Sequence, residues 1–385
     1  MTENTRKDVV CAVCGSRGVV VSAPSFDHFV SSDCRSWAGQ VEFYECRDCS
    51  HIGKRTDKIW QDSVSRLYET YLIYHQADGA EQKVKDEHGA FRPRSEILVE
   101  LLATEIDISV NGSALDVGAG NGAFLRALSK SRPHWTLSGN DLGTKHKKVI
   151  EEISDNSKFV EGDLFDLSDK YNFISLIHCL EHLFDPLAAL KKIRTLLLED
   201  GCLFLQVPNI ARNAFDLLIF DHCSHFKRET LYHLLKRAGF GTVRVFDHWN
   251  LKELSIVAFV GEDAVEADGP VVGAENLDFL LGPQLTWLAT VREQALARSQ
   301  KCEGELGIFG SSISGTWVAS LAQDSFDFFV DEDEARVGRR HLGKPIVSPN
   351  QVSRSAEVFF PFAAREAEVL QKRFAAQFHT TGPTE

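Results

Sequence analysis

Short apolar runs, divided by glycine turns and by helix-length amphipathic stretches, organise most of this chain. Between residues 96 and 262, the runs 114–117, 135–139, 159–160, 173–177 and 203–207 read as strands, each bounded by polar or glycine residues. Apolar positions recur at helical spacing after residue 123 and over 229–238, where Gly239 supplies the stop. Two more strands follow at 242–247 and 254–260. Strands alternating with helices predict an α/β class.

The flanks follow other patterns. Strand-like runs at 18–22 and 41–44 lie inside a cysteine-bearing segment, 1–55. Residues 56–95 read as a helical connector or lid carrying Tyr68, Tyr71, Tyr74, His75 and His88. A polar linker at 262–270 precedes a helix at about 282–300. Beyond it come a strand at 306–309, Gly310, a helix start at 311–315 and a strand at 326–330 ending in Asp331-Glu332-Asp333. That order predicts a second β-α-β unit. Residues 361–378 read as a last helix, and 379–385 as a disordered tail. The predicted division is 1–55, 56–95, 96–262, 263–378 and 379–385.

The most specific chemistry sits where the first core strand turns into its helix, Asp116-Val117-Gly118-Ala119-Gly120-Asn121-Gly122. Glycines there let a ligand lie against bare backbone, and a helix N-terminus offers N–H groups to an anion. Gly118-x-Gly120-x-x-Ala123 meets the dinucleotide template, but that match alone is weak. Asp116 two residues before the first glycine, and the third glycine Gly122, favour S-adenosylmethionine (AdoMet). Asp141 closes the second strand, where a carboxylate can take ribose hydroxyls of either ligand. Asp163-Leu164 follows the third strand, and His178 ends the fourth.

Charge and cysteine usage narrow the partners. At 385 residues and a formal net charge of -13, the chain is ill suited to a polyanion as main acceptor, so nucleic acid is not expected. It shows no leader and no apolar run of membrane-spanning length. Nine cysteines then read as reduced thiols and metal ligands in a cytoplasmic protein, a monomer or homodimer. Cys11-x-x-Cys14 and Cys46-x-x-Cys49 make a closed four-thiolate set suited to structural Zn2+, with an iron–sulfur site as the minor alternative. Cys34, in the loop between the pairs, is not expected to be a ligand.

Five ordered matches over about residues 96–262 resemble the class I AdoMet-dependent methyltransferases. They are the Asp116–Gly122 turn, Asn140-Asp141, Glu161-Gly162-Asp163, Glu181-His182 with Asp185-Pro186, and Leu203 to Asn209. The resemblance implies a Rossmann-like core with AdoMet held by Asp116, Gly118, Ala119, Gly120, Gly122, Asp141, Asp163, Leu164 and His178. The whole layout resembles the three-domain sugar C-methyltransferases. The matching residues are Cys11–Gly15, Cys46–His51, Tyr71-Leu72-Ile73-Tyr74, Gly307–Ser312 and Phe329-Val330-Asp331. This implies a nucleotide-linked keto-sugar as acceptor, methylated at carbon through an enolate. Asp221-His222 falls on that family's Glu-His pair, whereas Ile219 stands where the family has a tyrosine. Ser314-Gly315-Thr316 replaces its Lys-Gly-Asn.

For the chemistry itself, His222 is the first candidate base, with Asp221 beside it, and His225 could serve instead. His178 and Tyr74 are further candidates at the acceptor. A His222, Cys223 and His225 metal site is the rival reading. Transfer to oxygen on a glycan or small natural product is the alternative reaction, and a non-catalytic AdoMet-binding scaffold is the alternative class.

Overall fold

The computed structural model of the chain describes residues 9–21, 26–72, 79, 81, 83–85, 89–106, 111–261 and 279–383. Six short strands open it: β1 (Val9–Val10), β2 (Arg17–Val21), β3 (His28–Val30), β4 (Ser36–Ala38), β5 (Phe43–Cys46) and β6 (Ile52–Lys54). β3 and β4 form a hairpin, while the other four pair antiparallel in the order β1-β2-β5-β6. The two Cys-x-x-Cys turns join β1 to β2 and β5 to β6. Gly15 (φ 80°) and Ser50 (φ 51°) take left-handed conformations one residue past each pair.

The connector departs from the helix expected over 56–95. Its first half is α1 (Lys58–Glu69), N-capped by Asp57, with Trp60, Val64 and Leu67 buried at helical spacing. Its second half holds a hairpin, β7 (Lys83–Lys85) with β8 (Phe91–Pro93), which leads directly into α2 (Arg94–Glu105). Gly89 turns left-handed between the two strands (φ 81°), and Pro93 bars helix on its N-terminal side, so helical periodicity cannot run through. Tyr74, His75 and His88 lie outside the described residues.

Seven strands form the central sheet. In chain order, the elements are β9 (Ser113–Val117), α3 (Ala123–Ser131), β10 (Thr136–Asp141), α4 (Lys147–Glu151), β11 (Ser157–Glu161) and β12 (Tyr171–Ile177). Then follow α5 (Pro186–Leu196), β13 (Leu197–Pro208), β14 (Ser224–His225), α6 (Arg228–Arg237), β15 (Val243–Phe246) and β16 (Glu253–Phe259). The sheet order is β11-β10-β9-β12-β13-β16-β15, parallel except where β16 pairs with β13 and β15. Phe173, Ile174, Leu176 and Leu203 to Leu205 are fully buried, as strands covered by helices on both faces require. Strand order reverses between β9 and β12. A crevice at such a switch point is where doubly wound sheets bind ligands.

The C-terminal unit repeats the theme on a smaller scale. After α7 (Leu281–Lys301) come β17 (Leu306–Phe309), α8 (Ile313–Leu321), β18 (Phe328–Val330), β19 (Arg340–His341), β20 (Lys344–Val347), β21 (Glu357–Phe359), α9 (Ala364–Phe374) and β22 (His379–Thr381). Its sheet order is β19-β20-β18-β17-β21-β22. The expected disordered tail is corrected here. His379 to Thr381 pair parallel with Glu357 to Phe359, because β21 would otherwise leave an open edge. The last helix is also shorter than 361–378.

The units are not independent. β14 leaves the core and pairs with β6 as the fifth strand of the N-terminal sheet. One hydrophobic cluster joins Phe29 and Phe43 of the N-terminal unit, Leu217 and Leu218 of the core, and Leu285, Leu288 and Trp317 of the C-terminal unit. Trp317 Nε1 donates to the His28 carbonyl at 3.0 Å, and Glu45 Oε1 accepts from Leu280 N at 2.8 Å. Among the described residues, no helix is long and apolar enough to cross a membrane.

Candidate active site

A cavity of about 1480 Å³ runs from the β9–α3 turn to the surface where all three units meet. At one end lie Gly118, Ala119, Gly120, Asp141, Asp163 and Leu164. Gly118, Gly120 and Gly122 have φ of 70°, 51° and 73°, all left-handed, which is why the turn is built from glycine. A Cβ on Gly118 would fall 3.0 Å from Cys179 Sγ and narrow the cradle. Gly122 is the N-cap of α3 and leaves it without a side-chain cap. Asp141 Oδ1 accepts from Leu142 N at 2.8 Å, leaving Oδ2 for a ligand hydroxyl. Asp163 Oδ1 accepts from Phe165 N at 2.9 Å. Asp116 sits beneath the turn, accepting from Ser175 Oγ at 2.7 Å, and burial pushes its carboxyl up to about 7. All but Gly122, whose Cβ position faces Ile150 and Ile153, line one end of one cavity, and their shape and donors fit an adenosyl ligand.

His178 lies where β12 ends, in a left-handed conformation (φ 51°) rare for a residue with a side chain. Its Nδ1 is 3.1 Å from Glu181 Oε1 and its Nε2 is 3.0 Å from Glu253 Oε1, which also accepts from Arg94 Nη1 at 3.1 Å. Burial opposes charge on the ring, but Glu253 and Glu181 outweigh it and raise His178 to about 9. The ring lines the cavity between these carboxylates, with Arg94 Nη1 also 3.0 Å from its Nε2.

The other end of the cavity is assembled by the segment after β13. His222 lines the cavity with Nδ1 2.7 Å from Asp216 Oδ1. A proton on that Nδ1 leaves the Nε2 lone pair for the cavity. The carboxylate that fixes the His222 tautomer is thus Asp216, six residues upstream, and not the adjacent Asp221. Burial pushes the Asp216 carboxyl up, yet His225 and His222 together hold it well below the usual carboxylate range. Asp221 instead accepts from Ser32 N at 2.8 Å and Ser32 Oγ at 2.5 Å. Its carbonyl lies 3.1 Å from His182 Nδ1. His182 stands edge-to-face on His222, with ring centroids 4.6 Å apart at 89°.

His225 does not reach the cavity. It is buried with Nδ1 2.5 Å from Asp216 Oδ2, and burial pushes its ring down to about 4. The one-face pairing of His222 with His225 needed a helical loop, whereas residues 219–223 are not helical and Ser224–His225 is strand. The two rings therefore converge on Asp216 from different sides. The Cys223 thiol points to the carbonyls of Glu181 and Leu183 at 3.4 and 3.3 Å, so the His222, Cys223 and His225 metal set does not form.

Ile219 is buried along the cavity wall, so no hydroxyl occupies that position. Tyrosines approach instead from α1 and the residues just after it. Tyr68 OH is 3.0 Å from His182 Nδ1, and Tyr71 OH is 3.1 Å from Ser32 Oγ. Lys54, fully enclosed, donates to the Ile219 carbonyl and to Phe220 O at 3.4 Å, and burial pushes its ammonium down to about 8. Sequence reasoning missed Asp216, Ser32, Lys54, Arg94 and Glu253. Only Asp216, close to His222 along the chain, carried a local signal.

Away from the cavity, the four expected thiols converge. Cys11 and Cys49 Sγ are 3.5 Å apart, Cys14 and Cys46 Sγ 3.4 Å, and all four lie within 4.8 Å of one another with no disulfide. A zinc–sulfur distance of about 2.3 Å places tetrahedral sulfurs about 3.8 Å apart, so the donor set fits such an ion. Cys34 is not among the four.

Residues 87–245 match the family model of a methyltransferase domain, less than half of the chain. The release factor glutamine methyltransferase of Streptococcus pneumoniae is 34% identical over 125 residues, covering 31% of this chain and 44% of that protein. The C-methyltransferase NovU of Streptomyces niveus is 23% identical over 230 residues, covering 57% of this chain and 53% of its own. Among solved structures, CalO1, a methyltransferase of calicheamicin biosynthesis in its SAH-bound form, matches 43% of this chain and 54% of its own, with 22% identity and a TM-score of 0.37. The chain thus spans about half the length of these curated relatives. It carries a methyltransferase domain.

Proposed function

We propose that this protein transfers the methyl of AdoMet to a carbon of a nucleotide-linked keto-sugar. The observation that carries the reading is the single cavity that joins the glycine turn and Asp141 to the His222–Asp216 dyad. AdoMet supplies a methyl activated on a sulfonium; transfer breaks the S–CH3 bond, forms a bond from the acceptor carbon to the methyl, and leaves S-adenosylhomocysteine. Gly118 and Gly120 give the ligand backbone contact, Gly122 shapes the turn into the helix, Asp141 and Asp163 take its ribose and adenine, and Asp116 supports the turn. His222 Nε2 takes the proton next to the ketone, and the Asp216 carboxylate stabilises the imidazolium that forms. Tyr68 stands where a donor to the enolate oxygen is needed. Tyr74 remains an expectation of the resemblance.

The Cys11, Cys14, Cys46 and Cys49 set holds a structural zinc ion in this reading, with no open position for a reactant. The three-unit layout and the distant C-methyltransferase relative favour carbon as the methylated atom. Ile219, which removes the hydroxyl expected at that position, favours the second reading, transfer to oxygen, for which one base is enough. The test is methyl-labelled AdoMet with a pool of nucleotide-linked sugars that includes 4-keto-6-deoxy forms, read by mass spectrometry and carbon NMR. A labelled branch methyl on a ring carbon supports the first reading. Label on oxygen selects the second, and AdoMet binding without transfer removes nucleotide sugars as acceptors.

A further inference from the structure

We infer that Glu181, His182 and His222 form a binding site for a divalent transition-metal ion at the acceptor end of the cavity, and that metal and methyl acceptor exclude one another there. The inhibition rests on the proposed role of His222; the binding does not. A carboxylate oxygen of Glu181 and one ring nitrogen from each histidine lie within 4.8 Å of one another. This is the donor set of two imidazoles and one carboxylate that first-row ions from iron to zinc accept with positions left open.

Three independent features support it. Glu181 is fully buried, and its Oε2 has no hydrogen-bond partner although Oε1 is taken by His178. A buried carboxylate oxygen without a partner is costly, and a cation is one way to satisfy it. Each histidine is oriented through its far nitrogen, His222 by Asp216 and His182 by the Asp221 carbonyl, the arrangement that fixes tautomer and ring in metal-ligating histidines. Finally, the two ligand-bearing segments are stitched together before any ion arrives. Cys223 N donates to the Glu181 carbonyl at 2.8 Å, and Cys223 Sγ reaches the same carbonyl.

Exclusion follows from the lone pair. In the proposed reaction, His222 Nε2 must accept a proton; coordinated to a metal, it has no pair to give. An ion such as Zn2+ or Co2+ therefore occupies the base without entering the reaction, and nothing is oxidised or reduced.

The experiment uses the full chain as purified, with the zinc of its four-cysteine set quantified, titrated with Co2+ and followed by absorption and by metal content after dialysis. The expected result is one further Co2+ per chain, with weak d–d bands and no thiolate charge transfer. That equivalent is weakened at least tenfold in His182→Gln and in Glu181→Gln while AdoMet still binds. No added equivalent, or one that both variants retain, overturns the site; two variants are used so that one misfolding does not decide it. In labelled-methyl assays, Co2+ lowers transfer in the wild type and chelation restores it. Bound Co2+ with undiminished transfer overturns the exclusion. Loss of transfer in His222→Ala together with no added Co2+ equivalent in the wild type leaves the proposed function standing and this site refuted, while Co2+ binding by the wild type with no acceptor methylated does the reverse.

Discussion

The two ends of the cavity are built in opposite ways. At the AdoMet end, Asp116, Gly118, Gly120 and Gly122 follow one another along a single strand-turn-helix, Asp141 ends the next parallel strand, and Asp163 lies just past the one after it. The fold of one unit is enough to place them. At the acceptor end, Asp216, Asp221 and His222 lie on a segment with little regular structure of its own. Ser32 of the N-terminal unit holds the Asp221 carboxylate, Lys54 holds the carbonyls of Ile219 and Phe220, and α7 packs under the short turn Ala214–Leu218. Local geometry makes the first end; contacts between residues far apart in the chain make the second. The first end should therefore survive damage to the flanking units, and the second should not.

The strongest way to break this contrast is Cys46→Ser, or chelation of the zinc ion proposed for the four-cysteine set. Methyl transfer is expected to fall at least as far as in His222→Ala, while calorimetry shows AdoMet affinity within a few-fold of the wild type. Equal loss of both would make the cavity one cooperative unit. His222→Ala itself should lower kcat by about 10²–10⁴, the usual worth of a general base, with AdoMet affinity unchanged.

Gly118→Val tests the opposite end. The left-handed backbone and the approach to Cys179 together cost about 2–6 kcal/mol, so AdoMet affinity should fall by about 30-fold or more while the four-cysteine set is untouched. Ser32→Ala is subtler. It removes a hydrogen bond to a buried carboxylate, worth about 1.5–3 kcal/mol, and should lower kcat/KM about tenfold or more without touching AdoMet binding.

The smallest effect concerns His178, which faces both ends. Its folded pKa of about 9 lies above the ordinary histidine value of about 6.5. Its ion pairs therefore stabilise the fold fully below about pH 6.5, and that contribution fades as pH rises through about 9. The Tm difference between wild type and His178→Asn should be largest in mild acid and shrink across this window. A difference that grew with pH would contradict the raised pKa.

Legibility in the sequence follows the same divide. The central strands, α6 with its Gly239 stop, and β17 could be read directly, because each is decided by neighbours along the chain. The glycine turn was equally plain. His222 was visible as a candidate but its partner was not, since nothing local distinguishes Asp216 from Asp221 until Ser32 claims one of them. Connector and tail failed for related reasons: Gly89 with Pro93 outweighed helical periodicity, and the His379–Thr381 strand needed a sheet edge formed by β21.

The pairing of β14 with β6 sets an order of events during synthesis. A ribosome that has released Cys49 has supplied all four thiols. The sheet that carries them still waits for Ser224 and His225, well over a hundred residues later. Until then β6 presents an unpaired edge and Lys54 has no carbonyls to hold. The N-terminal unit therefore has its thiols early and its sheet complete late, and the segment that finishes it is the one that carries His222.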